Sequence, residues 1–281
     1  MSSRHSFYPL PRELHAEMGF RECLGFAMTL GLGAFLLFQA VTAAAAHDWL
    51  HAAFYLSSGL CFSGFLLLIR ASLVGRRRIT IEGTTLLPAE GHLIVPWSRK
   101  YFCAIALAMG SLIPAGSIMS IGIWSDRLNI PLTPGQAGVF SILGLPLSLF
   151  AAAFIATHIS MQRTRSLTLS PKDLILPGMI KFHRTIRWAD VKGIEMGSST
   201  LGSAEIHVQV RRSGGQNDVK RRIYAERFSI GAAATLQLLR FYHANPQLRG
   251  ELADHRAVER VLSYGLLDQG PSIDDSEAIS W

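Results

Sequence analysis

RSLTLSPKDLILPGMIKFHRTIRWADVKGIEMG, residues 165–197, is where the chain changes character. Upstream the apolar runs have helix length. Here they shorten to pairs at period two, broken by Pro and Gly: Leu167 and Leu169, Leu174 and Leu176, Ile186 and Trp188, then Val191 and Ile194. Alternation of this kind predicts short strands with one buried face. The reading that follows is membrane before residue 160 and one small soluble β domain after it.

Composition points the same way. Of 281 residues, 49% are hydrophobic and only 17% charged, and mean hydropathy is +0.27, too apolar for a wholly aqueous surface. The apolar residues concentrate in the first 160. Net charge is +7, with the excess in the second half and in one loop between apolar runs. That placement suits the cytoplasmic face of a membrane protein better than a nucleic-acid surface, so no nucleic acid partner is expected. Cys23, Cys61 and Cys103 lie in or beside apolar runs with no CxxC pair, and read as small hydrophobes rather than a disulfide framework or metal site.

Four runs have the length to cross a hydrocarbon core of roughly 30 Å: about 23–46, 52–70, 101–124 and 136–159. The AAAA before His47 resembles a cleavage site, but the segment in front carries as many acids as bases and more spans follow, so a first span is expected rather than a signal peptide. Arg70, Arg76, Arg77 and Arg78, then Arg163 and Arg165, place the loop after the second span and everything after the fourth on the cytoplasmic side, with both termini inside. Residues 1–22 are polar, fitting either a disordered tail or an interfacial helix that inserts Leu14, Met18 and Phe20. His47 and His51 share helical spacing around Asp48, but with no third ligand nearby they read as a polar turn beside the interfacial Trp49. Pro114 falls mid-span among Gly110, Ser111, Gly116, Ser117, Ser120 and Gly122, which predicts a bend and close helix approach.

Segments 78–88 and 165–177 each follow a pair of spans, each read strand, turn, strand, and each lead to a Trp, Trp97 and Trp188. The chain thus reads as two helical hairpins, each followed by a β segment, with a cytoplasmic hairpin expected at 79–97 and lying against the later sheet. A duplication and a chance likeness are both compatible with a match this short.

In the soluble half, 160–250, Ile206, Val208 and Val210 alternate with polar residues along 204–212, residues 213–218 form a turn, 219–230 return as a strand, and 232–242 have helical spacing ended by Asn245 and Pro246. Residues 251–265 suggest a short amphipathic helix, and the acidic tail from Asp268 completes a 251–281 segment. Several short strands closed by one helix resemble the bacterial pleckstrin-homology-like family of membrane proteins. The likeness rests on LTLSPKDLIL at 167–176, IRWADVKGI at 186–194, FSI at 228–230 and FYHANPQLRGEL at 241–252, with Asp173 where that family commonly has Gly. What the resemblance implies is a cytoplasmic β-barrel or sandwich closed by a C-terminal helix, in a bacterial inner-membrane protein. It also implies a non-catalytic interaction or assembly module, with lipid or peptide binding suggested by analogy.

No catalytic residues, metal ligands or cofactor are expected: His183, His207, Asp190 and Glu195 lack any nucleophile, HExxH or phosphate-loop context. Trp188 reads as core. Lys181, Arg184, Arg187, Arg211, Arg212, Lys220, Arg221 and Arg222 are the candidate binding residues, for membrane lipid or for a protein partner, although alternation along a strand sends neighbouring charges to opposite faces. Self-association is left open. The other readings are anionic-lipid sensing through the basic hairpin at 211–222, and a transporter or enzyme subunit that uses the Pro114 region.

Overall fold

A computed structural model describes residues 8–9, 11, 20–77, 86–89, 91–128, 133–160, 166–177, 184–198, 204–211 and 218–267. The chain divides into two compact units, one of helices (17–71 and 99–162) and one of strands and short helices (1–16, 72–98 and 163–281).

In the helical unit, α1 (Phe20–Ala45), α2 (Trp49–Arg77), α3 (Arg99–Trp124) and α4 (Pro134–Ser160) are each long and apolar enough to cross a membrane. The turn between α1 and α2 is built locally. His47 adopts a left-handed φ of 56°, and Asp48 accepts the His51 amide at 3.2 Å and pairs with its ring at 2.7 Å, which holds the Asp48 carboxyl below its ordinary pKa. Among the described residues no three potential metal ligands converge. α2 runs past the apolar run to Arg77, so Arg70 lies within it and Arg76 and Arg77 complement the negative end of its dipole.

Packing here depends on small residues. Gly33 faces Phe62, Gly59 faces Leu37, and Gly64 lies so close to Ala108 that no side chain would fit. A Cβ on Gly116 would stand 2.6 Å from the Gly144 carbonyl, and one on Gly144 would stand 2.5 Å from that of Gly116. Ser148 donates across to the Ile113 carbonyl at 2.8 Å, and Ser120 to that of Ser141. Close backbone approach joined by serine hydroxyls is how helices associate where lipid removes the hydrophobic drive. α3 continues through Pro114, and α4 through a second internal proline, Pro146. The Pro114 region is therefore unbroken helix, with cross-helix hydroxyl bonds at Ile113 and Ser120 on either side of it.

The other unit has two antiparallel sheets. The first runs in the order β1 (Leu87–Ala89), β2 (His92–Val95), β3 (Leu167–Leu169), β4 (Asp173–Leu176), β5 (Arg184–Arg187); the second runs β6 (Val191–Ser198), β7 (Ala204–Val210), β8 (Val219–Tyr224). The two sheets remain separate, and no ladder among the described residues closes them into a barrel. β5 and β6 are consecutive, but the 3-10 turn Trp188–Asp190 redirects the chain between them. The β1–β2 hairpin meets the later strands within one sheet. It extends their sheet edge to edge, with Leu93 opposite Leu169 and Val95 opposite Leu167, while residues 78–85 fall outside the described set. The strand read at 219–230 ends at Tyr224, where a 3-10 turn over Ala225–Arg227 leads to a single bridge between Phe228 and Trp97.

Both sheets share one core. Leu93, Val95, Leu167, Leu169, Leu174 and Ile186 meet Ile194, Ile206, Val208 and Ile223 beneath α5 (Gly231–Ala244). Trp188 is 2% exposed. Its indole donates to the Ser170 carbonyl at 2.9 Å, and the Arg249 guanidinium covers its ring at 5.0 Å. Arg249 also donates to the Tyr242 and His243 carbonyls at the end of α5. The turn before β4 is closed by Ser170, whose hydroxyl accepts the Asp173 amide at 2.8 Å. No residue there takes a positive φ, so Asp173 fits without the freedom of Gly. Beyond α5, a 3-10 stretch (Pro246–Ala253) leads to α6 (His255–Leu262), capped by Asp254. Tyr8 is buried against this end and donates to the Val261 carbonyl at 2.7 Å. Residues 12–19, where the interfacial helix is read, and the tail from Asp268 lie outside the described residues, while Phe20 opens α1.

Two substitutions check this architecture. Gly144→Leu forces α3 and α4 apart and is expected to lower the melting temperature of the detergent-solubilised protein markedly, while Gly138→Leu, at a position open to space, leaves it unchanged. Trp188→Ala is expected to cost about 3–5 kcal/mol in the sheet unit, read as accelerated amide exchange in β3 and β4.

Candidate functional site

β5 is an edge strand, and its whole length, Arg184, Thr185, Ile186 and Arg187, lines a cleft of about 690 Å³ together with Asp190, Val210 and Arg221. The local sequence explains the arrangement. Ile186 is the residue of β5 that turns into the core, opposite Leu174, so its neighbours stay at the surface. Arg187 pairs across the ladder with Asp173. The cleft's other wall comes from the second sheet, where Val208 opposes Arg221 and Val210 opposes Val219. This register puts Arg221 on the core-facing side at the rim, where it is half-buried. Asp190 closes one end, its carbonyl accepting the Arg211 amide at 2.8 Å. Among the described residues, three arginines and one aspartate line the cleft.

The predicted basic residues are thus divided. Arg184, Arg187 and Arg221 line one cleft, but along β5 Arg184 shares the side of Ile186 and Arg187 that of Thr185. Lys220 and Arg222 point to the opposite face of the second sheet, beside Gln209 and His207 and in a row that includes Glu195. Arg211 is exposed at the end of β7. Lys181 and Arg212, like His183 and the turn at 213–217, lie outside the described residues. On the outer face His207 meets the buried Glu205 at 3.1 Å, and its ring covers Gly197 so closely that a side chain there would collide.

A second polar feature has no signature in the sequence. Glu226 is 3% exposed and accepts the Ala204 amide at 2.6 Å and the Ser72 hydroxyl at 3.0 Å. Gly75 packs on its backbone with no room for a Cβ. Beside it, Arg227 lies over the rings of Tyr224 at 4.2 Å and Trp97 at 5.6 Å. Burial raises the Glu226 pKa, opposed by these two hydrogen bonds and by the charges of Arg227 and Arg76. With both oxygens occupied, the carboxylate anchors the corner after β8 and the end of α2. Ser72 and Glu226 are separated by 154 positions in sequence, so only the tertiary structure pairs them.

Compared with known proteins, the chain matches no family model, no curated protein and no solved structure. The chemistry of the cleft therefore carries the functional argument.

Because the Glu226 pKa is raised on folding, its contribution to stability is fully present below the unfolded carboxylate value of about 4.5 and is lost as pH rises through the higher folded value. Glu226→Gln is expected to remove that loss. Amide exchange at 204–206 should slow relative to wild type at pH 8 and match it at pH 4.

Proposed function

We propose that the chain is a membrane-anchored, non-catalytic interaction module whose strand unit, of pleckstrin-homology-like type, works on the cytoplasmic face of a bacterial inner membrane and holds an acidic segment of a protein partner in the β5 cleft. The observation that carries this reading is a cleft beside the edge strand β5 whose described lining includes Arg184, Arg187 and Arg221. An edge strand offers main-chain hydrogen bonds to an extended ligand, and guanidinium groups add charge-assisted bonds to its carboxylates. Four helices long and apolar enough to span support the anchor, and the Arg76–Arg77 end of α2 supports the orientation. Headgroup sensing by a flat basic hairpin draws less support, because Lys220 and Arg222 face away from Arg221 and sit among acidic neighbours.

The isolated 160–281 fragment is a poor vehicle for a test, since it lacks β2 and exposes the β3 edge. The intact protein in phosphatidylcholine nanodiscs, titrated with a fluorescein-labelled Glu-rich decapeptide, is the suitable assay. Arg184→Glu with Arg187→Glu is expected to weaken binding about tenfold or more, while Lys220→Glu with Arg222→Glu changes it less than twofold. Equal loss from both pairs, or from neither, counts against the cleft. Competition on replacing part of the phosphatidylcholine by phosphatidylglycerol would favour the headgroup reading instead.

A further inference from the structure

Tyr8 lies in the core of the strand unit. It is 0% exposed and belongs to the same buried cluster as Leu252, Ala257, Val261 and Leu266, within one compact unit. Its hydroxyl donates to the Val261 carbonyl at 2.7 Å, and its ring centre lies 5.0 Å from that of Tyr264, the planes tilted by 48°. We propose that the end of α6 is a binding site for a tyrosine-bearing extended segment, occupied in cis by Tyr8 and open to a protein segment of the same chemistry when Tyr8 leaves. This site uses none of the residues that line the β5 cleft.

The backbone at Tyr264 carries the assignment. α6 closes in a Schellman pattern: the Gly265 amide donates to the Arg260 carbonyl at 2.9 Å, and the Tyr264 amide to that of Val261 at 3.3 Å. That pattern needs a left-handed residue where Tyr264 stands, and Tyr264 has a φ of 60°. Glycine is the usual choice there, since a bulky side chain adopts this backbone only under strain. A helix cap alone gives no reason for tyrosine. The ring does, because it meets Tyr8, and strained backbone of this kind is held at ligand clamps. The ligand suits the clamp. Pro9 follows Tyr8 and Pro11 stands two residues on, so the segment is biased towards extended backbone before docking and loses less freedom on binding. Tyrosine presents an apolar ring with a polar tip, which fits a buried site that ends in a helix carbonyl. Residues 9–19 join Tyr8 to Phe20 at the start of α1. A tether this short holds its ligand at an effective concentration on the order of 1 mM, enough to keep out a free competitor at micromolar levels.

The test uses the intact protein in phosphatidylcholine nanodiscs and a fluorescein-labelled peptide, RHSFYPLPRE, residues 4–13. Tyr8→Ala, which empties the site, is expected to bind the peptide saturably and about tenfold or more tightly than wild type, whose own Tyr8 competes. Tyr8→Phe in the peptide is expected to weaken that binding about twofold to tenfold, the worth of one hydrogen bond. Tyr264→Gly keeps the helix end and removes the ring. In the Tyr8→Ala background it is expected to weaken peptide binding about fivefold or more, with the melting temperature no lower. Binding to Tyr8→Ala no greater than to empty nanodiscs, equal binding to wild type, or binding indifferent to Tyr264→Gly would overturn the site. If Tyr8→Ala does not fold, a protease site inserted after Glu17 and cut in the folded wild type leaves residues 1–17 held by contacts alone. Failure of excess labelled peptide to replace them then overturns the proposal equally.

Discussion

The strand unit depends on one long-range pairing, that of β2 with β3. Leu93 meets Leu169 and Val95 meets Leu167, and all four side chains are fully buried. The two strands are separated in sequence by the whole of α3 and α4. Closing a flexible loop of that length costs on the order of 4 kcal/mol. An antiparallel helical hairpin lowers this cost, since Gly116 against Gly144 and Ser120 against Ser141 return the chain on itself. Without β2, β3 would be a raw edge and Trp97 would lose its bridge to Phe228.

From that pairing the remainder follows in layers. β3 carries β4, β4 carries β5, and the turn after β5 buries Trp188, whose ring is covered by the same arginine that caps α5. Among the described residues β5 comes last in its sheet, and that edge becomes a wall of the cleft. The arginine lining is thus a product of topology. Arg184 and Arg187 are presented by the edge strand, and Arg221 by the rim of a different sheet.

The second constraint is electrostatic. A carboxylate buried at Glu226 is tolerated because an amide, a hydroxyl and neighbouring arginines surround it. The side chain's role is to hold the corner after β8 against Ser72 and Gly75, and so to keep Arg227 stacked on Tyr224 and Trp97. Such a node tolerates little variation, since losing either donor leaves a buried charge under-solvated.

Local pattern in the sequence was enough to establish the four apolar helices, the period-two pairs of residues 167–194, the strand at 204–210 and the helix ended by Asn245 and Pro246. Each depends on hydrophobic spacing within a few residues, and each of the eight paired positions is buried. The split of Arg221 from Lys220 and Arg222 was also legible, as alternation along a strand. Only the tertiary structure decided that β1 and β2 join the later strands edge to edge, that the two sheets stay separate, that Tyr8 reaches Val261 and that Ser72 reaches Glu226. Those outcomes depend on which distant surfaces meet, and spacing along the chain carries no record of it. The cleft divides the same way: its arginines were visible one by one in the sequence, and their place in the lining of one cleft was set by the order of strands.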